Sequence, residues 1–475
     1  MLKKIHVAIE REGVYGLIPY AIRRFQLVKK IRRFFLAPFS VPLALIILLA
    51  SPFIKIRLIL LFSNRIGHYP YNTELLLGVL DAIGEKLNRT FFYTVPGGTI
   101  CNAQMHKMWK RVITILPFPH LVADVDRYLL LWNYYRDDSV KQFFVQKGHA
   151  WDAWNLLGKT TKPHVSFTEE EEQKGKELLC SLGIPAGARF VCLLGRDARY
   201  LSVYMPKEDL SYTNYRNVDI NNYRQAAEYL ANNGYYVIRM GRYVEKPFNV
   251  NHPNIIDYAD GPYCSDFGDI YLSAKCFFFI SVSCGLDAAA QLFRRPILQT
   301  NVPLVDPDFH PEWYLLITKK VMDLKTHRYL SFQEIAERFP WAKSNGARSI
   351  LEIAKDNNLT LVENSPEEIT EVVKEMVAIL NETWQPSFED ELLQKKLWEN
   401  FKDPGMRDLS APPPNLPFER LKIPVFEGKN IDFNRKLVAV RLRMGTSFLK
   451  NNITWLLDQK TANPHCSKAI ESLLN

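Results

Sequence analysis

The chain reads as an α/β protein in which a parallel α/β unit and a second, doubly wound unit follow a membrane-associating N-terminal segment. Three observations predict this. Short β-branched or leucine-rich runs alternate with amphipathic helical stretches from about Lys55 to Asn301. Several of those runs end at a glycine or a polar loop that leads into a helix start. Ahead of them, a basic apron is followed by 21 residues without a charge, Phe34 to Ile54.

A chain of 475 residues with 47% hydrophobic content can bury more than one core, and this composition excludes disordered and fibrous classes. The net charge of +9 is concentrated at one end. Nine basic residues from Lys3 to Arg33 face only Glu10 and Glu12, a local excess of seven, so the rest of the chain is close to neutral. That pattern suits anionic lipid and not a nucleic-acid groove running over the fold. The uncharged run is long enough to cross a bilayer. Pro38, Pro42 and Pro52 interrupt it, however, and a simple span would put everything after Ile54 on the far side. A hairpin dipping into the membrane keeps both ends on one side; a buried core helix is the plain alternative. Seven cysteines with no CxxC pair read as reduced thiols of a cytosolic compartment. The ten histidines show no HxxxH or HExxH spacing, so no metal site and no cofactor is expected.

The elements follow in order. IRLILLFS (56–63) is a strand run ending in the loop NRIGH, and PYNTELLLGVLDAIG then has helical spacing. FFYTV (91–95) stops at Pro96, Gly97 and Gly98, and MHKMWKRV and ITILP supply a second helix and a third strand. Periodicity weakens between Asp137 and Pro163, a connection between units. Thr168 with Glu171 forms a capping box that opens the second unit, and its helix ends near Gly183. FVCLL (190–194) is a buried strand stopping at Gly195; DINNYRQAAEYLANNG, YYVIRMG, FGDIYLSAK, CFFFI, LDAAAQLF and PILQTN continue as helix, strand, helix, strand, helix, strand. SPEEITEVVKEMVAIL is a helix capped by Ser365 with Pro366 in its first turn and Glu368 closing the box. SAPPPNLPFERLKIP reads as a proline-rich surface crossing, and a final helix lies around VAVRLRMGTSFLKNNITWLL. The division expected is 1–54 membrane-associating, 55–163 first unit with linker, 164–385 second unit, and 386–475 crossing and returning helix.

In an open parallel sheet, ligands sit at the carboxyl ends of strands. Ser281, Val282, Ser283, Cys284 and Gly285 follow CFFFI at such an end. Small side chains let a ligand approach the backbone, the hydroxyls of Ser281 and Ser283 donate, and N–H groups at the next helix start donate to phosphate oxygens. Close packing of a helix on a sheet needs the same small residues, and Asp287 in the first helical turn opposes an anion. Arg196 after FVCLL, and Arg239 and Gly241 after YYVI, end the neighbouring strands. Two guanidiniums and a hydroxyl loop form a set able to neutralise a diphosphate, although each arginine alone reads equally as a surface ion pair. Asp269 can accept ribose or base donors, or cap its own helix.

RNVDINNYRQAAEYLANNGYYVIRMG, DFGDIYLSAKCFFFISVSCGLDAAAQLFRRP and RYLSFQEIAERFP resemble a bacterial family of glycosyltransferases encoded among surface-polysaccharide genes. The likeness runs from about Lys55 to the C-terminal helix. More distantly, GRDARYL and SVSCGL are similar in placement to the arginine and serine-rich loops of GT-B fucosyltransferases and heptosyltransferases. The resemblance implies a GT-B fold, two facing Rossmann-like domains with the acceptor site in the first and the donor site in the second, and a diphosphate held by Arg196, Ser281, Ser283 and Gly285. Leu194 and Gly195 stand where fucosyltransferases commonly carry a histidine. The implied reaction moves a sugar from a nucleotide-sugar donor to a lipid-linked or other surface saccharide at the cytoplasmic membrane face, with side chains in place of a metal. On the acceptor side SNRIGHYPYNTE offers His68 as base, Glu74 as a second carboxylate, and Arg65 beside them; His68 bonded within its loop and Glu74 as a solvated first-turn residue are the plain readings. A GT-B-like sugar-nucleotide epimerase and an inactive nucleotide- or lipid-binding scaffold are the competing functions.

Overall fold

The computed structural model describes residues 17–82, 84, 86–138, 140–141, 162–204, 206, 209–282, 284–303, 314–331, 334–335, 338, 350–400 and 443–453. The expected linker aromatics (151–158), the proline-rich crossing and Ser283 lie outside them.

Helix α1 (Leu17–Ala50) is one continuous helix of 34 residues, so the expected hairpin does not form. Pro38 and Pro42 lie inside it and Pro52 beyond its end. Each internal proline removes one N–H donor, but the turns on either side keep their bonds, and packing on one face holds the helix together.

The first unit runs through β1 (Arg57–Leu61), α2 (Tyr69–Ala82), β2 (Thr90–Thr94), α3 (Ala103–Val112) and α4 (Pro119–Leu131). Strands β1 and β2 pair in parallel with Ile59 opposite Phe92. The third strand expected at ITILP is only a parallel bridge from Phe92 to Ile115. Pro117 and Pro119 bracket Phe118, whose φ of 58° is left-handed, and the ladder stops there. Among the described residues this unit is thus thinner than a full doubly wound sheet. Helix α1 packs along α4, with Ala44 set among Leu58, Tyr93, Val125 and Leu129.

The second unit begins with α5 (Glu169–Ser181), whose Thr168–Glu171 capping box is formed as expected. There follow β3 (Phe190–Leu193), α6 (Arg199–Tyr204), α7 (Arg224–Asn232), β4 (Tyr236–Arg239), β5 (Ile255–Asp257), α8 (Asp266–Lys275), β6 (Phe279–Ser281), α9 (Asp287–Leu292), β7 (Ile297–Val302) and β8 (Tyr314–Thr318). A small antiparallel sheet of β9 (Lys320–Asp323), β10 (Arg328–Tyr329) and β11 (Leu359–Val362), with α10 (Ile350–Asp356) between the last two, was not legible in the sequence. Helix α11 (Pro366–Leu380) has the expected Ser365–Glu368 box, and α12 (Phe388–Asn400), β12 (Arg443–Met444) and α13 (Thr446–Asn451) complete the described elements.

Among the described residues the main sheet has seven strands in the order β12-β8-β7-β6-β3-β4-β5, every neighbouring pair parallel. Alternate residues of β3 serve opposite faces. Val191 and Leu193 join the core under α7 and α11, while Phe190 and Cys192 join the core under α5 and α8. That period-two split with helices on both sides is the doubly wound architecture. The chain moves outward from β3 to β4 and β5 and then returns to β6 on the other side of β3. The strand order therefore reverses between β3 and β6, and their carboxyl ends frame the crevice where such sheets bind ligands.

Candidate functional site at the seam between the units

Residues leaving β6 meet residues leaving β1 at this crevice, so the two sheets face one another by their carboxyl edges. The contact is backbone on backbone. A Cβ placed on Gly285 would stand 2.9 Å from Gly67 N and 3.0 Å from Ile66 Cγ2, and one placed on Gly67 would stand 3.0 Å from Gly285 Cα. The close approach for which the small-residue loop is built is thus made, in this structure, by the first unit's NRIGH loop.

The seam is fastened on both sides. Ile270, Ala289 and Leu292 of the second unit enter the first unit's core beside Tyr69, Leu76, Leu77 and Trp109. Glu74, fully buried, accepts from Arg294 Nη2 at 2.6 Å and lies 3.0 Å from His164 Nδ1. Arg242, which carries no local sequence signal, donates to Asp266 at 2.9 Å and to Asp269 at 2.9 Å. Asp266 in turn accepts from Ala103 N at 2.6 Å, and its carbonyl accepts from Asn102 Nδ2 at 2.9 Å. Arg111 and Gln104 reach across to Glu171 at 2.9 Å each. Burial pushes the Glu171 carboxyl up, but these donors and the Thr168 N–H together hold it far below the usual carboxylate range.

The sequence-derived site residues separate into two groups. Arg196 stays at the crevice. Its guanidinium donates to Thr213 O at 2.9 Å, to Thr213 Oγ1 at 2.7 Å and to Asn217 Oδ1, and it lies within electrostatic range of Cys284. Burial and the neighbouring Arg216 both lower its affinity for its proton. Lys319, the first residue after β8, is buried, donates to Asn217 O at 2.8 Å, and is pushed down to about 8 by burial, against the pull of Glu363. Arg196, Arg216 and Lys319 thus form a cationic group at the carboxyl edge beside the Cys284 loop. Burial pushes the Cys284 thiol up to about 12, so it is no nucleophile at neutral pH.

Other residues do not meet there. Arg239 is 1% exposed and turned toward the sheet edge, pairing with Asp257 at 3.2 Å in the register position opposite it and donating to Lys246 O. As the last residue of its strand it obeys the sheet's alternation, whereas Arg242, beyond the strand, is free to swing to the seam. Gly241 (φ 140°) makes the turn between them, where a Cβ would meet Val244 at 3.1 Å. Ser281 is fully buried and gives its hydroxyl to Asp287 Oδ2 at 2.8 Å, a carboxylate also reached by Gln299, so it is not a free phosphate donor. Burial raises Asp287 to about 7. Asp269, likewise raised to about 7 by burial, is engaged by Arg242; the helix cap is Ser265. Glu74 is neither solvated nor able to reach a substrate. Arg65 is exposed, and His68 is half-buried on the seam loop next to Gly67, its ring 5.9 Å from that of Phe62. Lys319 had no local sequence signal: it follows a strand whose end is recognisable only once the sheet is assembled.

No protein-family model matches the chain. No curated protein matches it. Among solved structures it is similar to a glycosyl transferase family 9 protein from Veillonella parvula DSM 2008, with 12% identity and a TM-score of 0.39, covering 69% of this chain and 98% of that one. It is also similar to the E. coli ADP-heptose LPS heptosyltransferase II (12% identity, TM-score 0.32, 55% of this chain and 90% of that one). A third is E. coli heptosyltransferase WaaC with ADP-2-deoxy-2-fluoro heptose (12% identity, TM-score 0.27, 55% and 93%).

Proposed function

We propose that the chain is a GT-B-type glycosyltransferase, moving a sugar from a nucleotide-sugar donor to a lipid-linked or other surface saccharide at the cytoplasmic face of a membrane. The observation that supports this reading is the grouping of Arg196, Arg216 and Lys319 beside the Cys284 loop, whose next residue, Gly285, meets Gly67 of the first unit. A departing nucleoside diphosphate carries its charge on phosphate oxygens, and preorganised cations at a sheet's carboxyl edge stabilise that charge as it develops. Arg196, already held by Thr213 and Asn217, would offer its outer face to the diphosphate without reordering. Lys319, poorly hydrated where it sits, gains most from an anion beside it. His68 is the acceptor-side group within the seam and is assigned the role of base toward the attacking hydroxyl. In this reading side chains supply the charge that other transferases take from a metal ion.

A thermal-shift screen of nucleoside diphosphates and CMP tests the donor site. A ligand at a hundred times its Kd stabilises the native state by about 2.7 kcal/mol. One base is expected to stand out, its shift abolished in Arg196→Ala and reduced in Lys319→Met. An equal response to all nucleotides, or an undiminished shift in Arg196→Ala, refutes the assignment. Nucleotide release that rises only when a saccharide acceptor is added then separates transfer from epimerisation.

A further inference from the structure

We infer that α1 is an in-plane membrane anchor whose outer face lies in the surface of an anionic bilayer without crossing it. This deepens the membrane part of the proposed function and is tested without donor or acceptor, so the two fail separately.

The stretch Lys30–Ala50 has a mean hydropathy of 2.1, and it is long enough by composition to span. Its surroundings forbid that. Arg33 lies 3.6 Å from Asp124 of α4, and the contact continues through Ser40 and Ala44, both fully buried, to Ile47 and Leu48. From Arg33 to Leu48 is about 22 Å of helix, most of a hydrocarbon core of about 30 Å. A crossing would carry α4 into lipid with its Asp124, Asp126 and Arg127, and with the Lys141–Asp126 pair at 2.8 Å. Hydrocarbon does not accommodate such a surface.

The opposite face is built for lipid. Phe35 (67% exposed), Phe39 (64%), Ile46 (62%), Leu49 (75%) and, just past the helix, Phe53 (88%) recur at helical spacing about half a turn from Ser40 and Ala44. That is one apolar stripe along the side away from the protein. Lys30 and Arg32 stand at its start and belong to the local excess of seven positive charges between Lys3 and Arg33, the complement to anionic headgroups. A stripe of this kind beds roughly 5–10 Å into the headgroup boundary.

The test uses the full chain with vesicles of phosphatidylcholine alone or mixed with phosphatidylglycerol. Binding is expected with the anionic vesicles, weakened by salt, and reduced more than about a hundredfold in the double variant Phe39→Glu, Ile46→Glu, whose thermal unfolding without lipid should match the parent. An N-terminal epitope tag on protein bound from outside should be fully digested by added protease. A tag sheltered in the lumen means the helix spans and overturns the inference. So does undiminished binding of the double variant, or equal binding to uncharged vesicles. If the chain instead dimerises through this stripe, with the double variant monomeric and neither binding vesicles, a second copy is the occupant and the lipid assignment falls.

Discussion

Replacing Gly285 with alanine probes the contact on which the seam depends. The new methyl would sit 2.9 Å from Gly67 N, 3.0 Å from Ile66 Cγ2 and 3.2 Å from Gly67 Cα. Ordinary van der Waals contact begins near 3.4 Å, so the two loops must part by about 0.5 Å, the difference between 3.4 and 2.9. Two of the three obstructing atoms are backbone, and the loops are tethered by the Glu74–Arg294 pair on one side and the Arg242–Asp266 pair on the other. The separation therefore strains the seam at a cost of about 1–3 kcal/mol, the usual range for overpacking a well-packed interior. At 1.4 kcal/mol per decade this lowers the folding constant by roughly 5- to 150-fold. Urea unfolding followed by tryptophan fluorescence reads it as a lower midpoint at unchanged slope. Gly67→Ala should cost a similar amount, and the double variant less than the sum, because one opening relieves both clashes. A Gly285→Ala protein within about 0.5 kcal/mol of the parent, or strictly additive singles, would refute the backbone contact and the facing of the two edges inferred from it.

Two further expectations follow from the charges at the seam. Arg294→Met leaves the buried Glu74 without its guanidinium and should destabilise by about 3–5 kcal/mol, while adding Glu74→Gln should recover part of the loss; if the second substitution makes matters worse, the pair is not the clamp described. Asp287 is raised by burial to about 7 from an ordinary 3.8, so the stability it contributes is intact below its unfolded value and is lost as pH climbs through 7. Asp287→Asn keeps an acceptor for Ser281 and should lose about 2 kcal/mol less than the parent between pH 5 and pH 8, read from urea midpoints at both; parallel pH profiles would contradict it.

Local chemistry wrote much of this protein into its sequence. Thr168–Glu171 and Ser365–Glu368 cap their helices because each box is closed within four residues. Strands β3 and β6 were legible because a strand buried on both faces reads as an uninterrupted apolar run, here FVCLL and CFFFI. The basic apron and the uncharged stretch after it were equally plain.

What pairs with what depended on the assembled fold. Arg239 and Arg242 look alike in RMGR, yet strand parity sends the first to Asp257 and leaves the second for Asp266 and Asp269. Glu74 reads as a solvated or catalytic carboxylate until Arg294, 220 residues away, closes over it. Proline spacing suggested a hairpin in α1; the face of α4 stabilises a single helix and decides that its stripe looks outward. The sequence by itself determined which segments become helices and strands, since those choices are settled within a turn or a pleat. Only the tertiary structure decided which charges are neutralised and which are left to work, because a side chain's partner is fixed by sheet order and crossing geometry and not by its neighbours in the chain.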